Sequence, residues 1–208
     1  MEYYKILKDH YEKRLMEFGP NSRGMDWPNH EDLEKRFKVL TDMISFSETE
    51  NQKRSLLDLG CGAGLLVDFL QQNDKIVNYY GVDISEKMIE VAKKLHPDCS
   101  FEVRDILIKP YNSAQFDYVI MNGLLTEKQS MSQFQMVEFA QNIILNSFNC
   151  CSEGIAFNIM STHVDWKRDD LFHWELDGLV EFLVKNCSRK IKIMMDYGLF
   201  EYTVYLYK

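Results

Sequence analysis

The chain is short of the features that staple, anchor or unfold a protein. Five cysteines, Cys61, Cys99, Cys150, Cys151 and Cys187, show none of the paired spacings of zinc sites or small disulfide scaffolds. They read as reduced thiols, and no metal is expected. Four prolines and 10 glycines among 208 residues, with 46% hydrophobic and 27% charged residues, exclude a collagenous or disordered chain and leave one compact domain. No apolar run approaches the roughly 20 residues that span a bilayer. The opening MEYYKILKDHYEK mixes charge with apolar residues and has no signal-peptide core. A cytoplasmic protein without a membrane partner is the expectation. Basic residues are the minority, 24 against 32 acidic for a net −8, which removes the general attraction that non-specific nucleic-acid binding draws on. Lys185, Arg189, Lys190 and Lys192 then read as a solvated helix end and strand edge, and no nucleic-acid partner is expected.

What is present has a clear order. Tyr4, Leu7, Tyr11, Leu15 and Phe18 recur at helical spacing until Gly19-Pro20 stops them. After the turn-rich NSRGMDWPN, Asn29 can cap a second helix with the stripe Leu33, Phe37, Leu40 and Ile44. The polar SETENQKRS follows as a linker. From Ser55 onward, short apolar runs alternate with helical periods (LLDL, GAGLLVDFLQQ, IVNYYGVDI, SEKMIEVAKKL, SFEVRDI), the pattern of a parallel sheet covered on both faces. FDYVIMN, a helix over roughly 130–149 and GIAFNIM extend it. KIKIMMDY and EYTVYLYK are separated by too little chain for a crossover helix, so the last two strands must pair antiparallel. The expected fold is a doubly wound, seven-stranded, mostly parallel α/β sheet with an antiparallel C-terminal hairpin. Residues 1–54 form a helical cap and linker, and residues 55–208 form the core.

The most informative stretch runs from Leu56 to Leu65, a buried-strand pattern that breaks into Gly60, Gly62 and Gly64 and resumes as a helix. Such a turn lets backbone approach a ligand and aims helix N-terminal amides at it. A dinucleotide fingerprint would place its third glycine at position 65, which is Leu65, so a nicotinamide oxidoreductase becomes the weaker reading. Asp83 closes the next strand nineteen residues beyond Gly64, where a carboxylate can accept from both hydroxyls of an unphosphorylated ribose. Asp105 ends the following strand on the same edge, within reach of an adenine amino group. With Asp58 before the glycines, the site is acidic and suits a cationic, phosphate-free ligand.

These residues resemble the class I S-adenosylmethionine-dependent methyltransferases. Asp58, Gly60, Gly62 and Gly64 match the family's first motif, Asp83 its ribose carboxylate, Asp105 its adenine-side acid, and Phe116 to Asn122 its fourth-strand motif. The resemblance covers about three quarters of the chain. It implies S-adenosylmethionine as cofactor, with Ile84 and Ile106 flanking the adenine and the Asn122 region near the transferable methyl. GMDWPN, DDLFHW and DYGLFEYTVYLY further resemble small bacterial methyltransferases acting on metabolites or surface-sugar precursors.

Methyl transfer to a small polar acceptor, on oxygen or nitrogen, is therefore the expected activity. A non-catalytic member that binds the cofactor to brace a partner protein is the alternative. His163 and Asp165 fall after GIAFNIM, on the ligand edge, and are the candidate bases for a hydroxyl acceptor. Asp26 and Trp27 are either turn and packing residues or part of the site's cover. Arg36 is read as a charge on a solvated face or as a partner for the cofactor carboxylate. Ser85 is expected to cap a helix, and Asp117 to be structural at the opposite strand edge.

Overall fold

The computed structural model describes residues 3–46 and 53–208; most of the expected linker, residues 47–52, lies outside them. Helix α1, Lys5–Phe18, ends at Gly19, whose positive φ of 75° and N–H donated to the Leu15 carbonyl (2.8 Å) close its last turn. A single 3₁₀ turn, Arg23–Met25, folds back on it. There a side chain at position 24 would place its Cβ 1.8 Å from the Gly19 carbonyl oxygen, so only glycine fits. Helix α2, His30–Thr41, begins at Asn29, whose side chain accepts from the Asp32 N–H at 2.7 Å.

The sheet contains β1 (Arg54–Leu59), β2 (Val77–Asp83), β3 (Ser100–Val103), β4 (Phe116–Met121), β5 (Cys151–Met160), β6 (Ile191–Met194) and β7 (Glu201–Tyr207), in the order β3-β2-β1-β4-β5-β7-β6. Helices α3 (Leu65–Gln72), α4 (Glu86–Leu95), α5 (Gln133–Cys150) and α6 (Leu176–Asn186) connect it. β7 runs antiparallel to both neighbours, and the other adjacent pairs are parallel. The expected hairpin forms. Only β7 is reversed, because α6 carries the chain back far enough for β6 to share the direction of β5.

Alternation along the strands sorts the core into two layers. Leu57, Leu59, Val119, Met121, Ile155 and Phe157 pack toward α5 and α6, while Leu56, Tyr118, Ile120, Ala156 and Tyr205 face α2, α3 and α4. Helix α2 thus belongs to the sheet's covering: its Leu33, Phe37 and Leu40 are buried there, as are Met43 and Ile44 just beyond its end. Each such side chain contributes about 1.5–3 kcal/mol of burial. Ser85 caps α4 by accepting from the Met88 N–H. Asp117 accepts from the Ser55 N–H and hydroxyl at 2.8 and 2.9 Å, joining strands at the edge away from the glycine turn. Among the described residues, no helix is long and apolar enough to cross a membrane.

Candidate functional site

The carboxyl ends of β1, β2 and β4 open into one cavity. After Leu59 the chain turns through Gly60, Gly62 and Gly64, with φ of 78°, 53° and 84°, a left-handed path that glycine takes without strain. Gly60 and Cys61 donate their N–H groups to the Val82 carbonyl at 2.7 and 3.0 Å, fastening the turn to β2. Gly62 donates to Asp83 Oδ2 at 3.0 Å, and the Ser85 N–H reaches Asp83 Oδ1 at 2.8 Å. Burial nevertheless raises the Asp83 pKa, those two donors only partly opposing it. Asp105 Oδ1 accepts from the Leu107 N–H at 2.9 Å, and its Oδ2 accepts from the Tyr4 hydroxyl at 2.6 Å. Ile84, Ile106 and Asn122 line the same cavity, and Asn122 Oδ1 is buried with no hydrogen-bond partner among the described residues.

Asp58 lies beneath the turn, 3% exposed, accepting from the Tyr79 hydroxyl at 2.7 Å. Burial lifts its carboxyl to about 7, against the pull of Tyr79 and with help from Asp83. The folded chain therefore holds a proton that the unfolded chain has lost between about pH 4 and 7, so this group's contribution to stability is full at the acid end and is lost as pH rises through 7. The unliganded Asp58→Asn protein should accordingly gain in melting temperature relative to wild type between pH 5 and pH 8. A constant difference across that range would contradict the shift.

The N-terminal elements roof the cavity. Tyr4, Leu7, Lys8 and Tyr11 of α1 and its cap face it, with Met25, Trp27, Leu33 and Phe37 from the segments that follow. Tyr4 stacks on Phe139 (centroids 5.2 Å apart), and Glu12 accepts from the Ser85 hydroxyl at 2.8 Å, pinning α1 across the ends of β2 and α4. Trp27 presses against Gly123, where a Cβ would lie 2.6 Å from the indole. Arg36 stands over the same ring at 4.0 Å. It is neither solvated nor turned to the cavity: it is buried, with Nε and Nη2 on Glu201 Oε2 at 3.0 and 2.9 Å. Glu201 Oε1 accepts from Asn158 Nδ2 (3.1 Å), and Asn158 Oδ1 accepts from the Gly123 N–H (2.8 Å). A buried polar chain thus runs from α2 through β7 and β5 to the loop after β4.

The expectation for His163 and Asp165 gains no support from their positions. Both side chains are exposed and neither lines the cavity, because the segment after β5 buries Phe172 and Trp174 instead and leaves residues 165–169 in solvent. The structure brings a different set together: His10 Nε2 meets Asp26 Oδ2 at 2.7 Å, Arg14 Nε approaches Asp26 Oδ1 at 2.9 Å, and Glu127 from the loop after β4 lies beside them. No local pattern marks His10 or Glu127, which are more than a hundred residues apart. The Asp26-Trp27 turn, read as a possible cover, was the one available signal.

This strand order, with a glycine turn after β1 and acids closing β2 and following β3, defines the Rossmann-like methyltransferase architecture. The family described as a methyltransferase domain matches residues 56–143. A Mycobacterium tuberculosis protein named as a methyltransferase, Rv1506c, is 27% identical over 160 residues, 74% of this chain and 93% of that one. The ubiquinone biosynthesis O-methyltransferase of Coxiella burnetii is 31% identical over 109 residues, and there the match spans 50% of this chain and 44% of the relative. Among solved structures, magnesium protoporphyrin IX methyltransferase from Synechocystis PCC 6803 with bound S-adenosylhomocysteine superposes with a TM-score of 0.68 over 99% of both chains at 14% identity. Residues 56–143 thus match a methyltransferase domain, and together these likenesses support a class I S-adenosylmethionine-dependent methyltransferase with S-adenosylmethionine as cofactor. The residues present fit that group: Gly60 and Gly62 line the cavity with Asp83, Asp105 and Asn122, whose Oδ1 has no partner among the described residues, whereas Gly64 lies outside the lining with His96 and Phe101 where its Cβ would be.

Proposed function

We propose that the chain transfers a methyl group to a small polar acceptor, on oxygen or nitrogen, by in-line displacement, the acceptor lying under the roof between Tyr11, Met25, Trp27 and Asn122. One observation carries this reading: α1, the 3₁₀ turn, the segment after it and α2 contribute Tyr11, Met25, Trp27, Leu33 and Phe37 to the lining of the cavity, a narrowed approach that suits a small molecule better than a polymer. In this reading Asp83 takes the ribose hydroxyls and Ile84 and Ile106 flank the adenine. Asp105 meets the adenine amino group by exchanging its bond to Tyr4, while Gly60 and Gly62 leave room for the remainder and Gly64 serves the turn. Asp58 and Asn122 complete the polar lining. The cofactor supplies a sulfonium whose methyl carbon is already electrophilic. The protein's task is then to hold the nucleophile about 3 Å away and in line, where positioning alone supplies several kcal/mol. The magnesium protoporphyrin IX and ubiquinone biosynthesis enzymes are both named for small-molecule chemistry, which supports the same class of acceptor. The net charge of −8 also disfavours a polyanion.

The test is a labelling screen. With methyl-labelled S-adenosylmethionine, label is expected in a small-metabolite extract and not in tRNA, rRNA or protein fractions. Label in a macromolecular fraction would overturn the acceptor class.

A further inference from the structure

His10 from α1, Asp26 from the turn after the 3₁₀ helix and Glu127 from the loop after β4 converge beside the roofed end of the cavity, with one imidazole nitrogen and one oxygen of each acid within 4.8 Å of one another. Their surroundings set the two acids apart. Asp26 is bonded to His10 and Arg14, and its pKa falls, the His10 hydrogen bond being the largest cause. Glu127 is 7% exposed and accepts from Gln129 Nε2 at 2.8 Å, and among the described residues no Lys or Arg makes an ion pair with it. Burial, then Asp26 and Asp170, push Glu127 up to about 7, with His10 and Arg168 opposing. Neighbouring acids driven in opposite directions are the arrangement that acid–base sites use. Tyr11 joins this cluster to the cavity: it lines the cavity and packs edge-on against His10 with centroids 5.2 Å apart, and burial, then the charges of Glu127, Asp26 and Asp83, raise its pKa.

We propose that the acceptor is a hydroxyl compound whose proton passes through the Tyr11 hydroxyl to Glu127, with Asp26 and His10 as positioning residues. This rests on the reading of the cavity as a methyl-transfer site for a small acceptor. The acceptor oxygen forms a bond to the methyl carbon and the carbon–sulfur bond breaks with its electron pair left on sulfur. The hydroxyl proton goes to Tyr11 as Tyr11 gives its own to Glu127. Of these four groups only Tyr11 lines the cavity, so it alone of them would touch the acceptor. The His10 side chain, 23% exposed, is the route by which Glu127 sheds the proton to solvent.

Two measurements test this. Carbon-13 carboxyl NMR of the unliganded protein should show one glutamate titrating near pH 7, absent from Glu127→Gln. In the labelling assay, wild-type rate into the small-molecule fraction should rise with pH through an inflection near 7. Glu127→Gln and Tyr11→Phe should each lower it about 100-fold or more, and Glu127→Gln should lose the inflection with S-adenosylhomocysteine affinity within twofold of wild type. The proposal is overturned by a Glu127 that titrates in the ordinary carboxylate range, by wild-type rates in either variant, or by a rate loss matched by equal losses of affinity and melting temperature. If Glu127→Gln does not fold, the wild-type titration and Tyr11→Phe decide. Label in macromolecules alone would overturn the small-acceptor reading while the NMR result stood, and no label anywhere would overturn both.

Discussion

Asp83→Ala should bind S-adenosylhomocysteine about 10- to 150-fold more weakly than wild type by calorimetry, the equivalent of losing roughly 1.5–3 kcal/mol from charge-assisted hydrogen bonds. The structure supplies a second reason for a large effect. The carboxylate that would take the ribose hydroxyls also accepts from the Gly62 and Ser85 N–H groups, so its removal frees the glycine turn from the start of α4. Ligand contact and loop order are then lost together. Asp83→Asn, which retains an oxygen acceptor, should fall between the two. Wild-type affinity in a folded Asp83→Ala protein would remove Asp83 from the cofactor site.

Arg36→Met should destabilise the fold by about 3–5 kcal/mol in urea titration, since it strands the Glu201 carboxylate in the interior without its cation. Set against the 5–15 kcal/mol that holds ordinary domains together, this is a severe loss. Arg36→Met combined with Glu201→Leu should recover much of it, because an apolar pair replaces a buried charge. A single-variant loss below about 1 kcal/mol would mean that water reaches Glu201 and that the pair is not desolvated.

The features legible in the sequence were those written in local spacing. The glycine turn, the acids at the carboxyl ends, the Asn29 and Ser85 caps and the antiparallel last pair all follow from residues within one element or its neighbours. Arg36 was misjudged because a charged residue on a helix looks the same in sequence whether its partner is water or a strand 165 residues away. His163 and Asp165 lie in the segment following β5, where their strand position predicts them, yet Phe172 and Trp174 won the competition for the interior and turned their neighbours outward. His10 and Glu127 meet only because α1 lies across the sheet edge. Helical spacing can foretell that a helix buries its Tyr and Leu stripe, but not against which loop.

The polar chain from Arg36 to Gly123 bears on how this protein can diverge. If the acceptor lies beside Asn122 as proposed, altering the loop after β4 would change it most simply, but the Gly123 N–H of that loop is satisfied by Asn158, whose amide is held by Glu201, which in turn is neutralised by Arg36. Trp27 closes the circuit from the other side, filling the space that any side chain at position 123 would need. Across related sequences, positions 27, 36, 123, 158 and 201 should therefore be inherited as a set. Lineages that have lost one of them should have lost or rebuilt the others, even where the glycine turn and Asp83 persist unchanged.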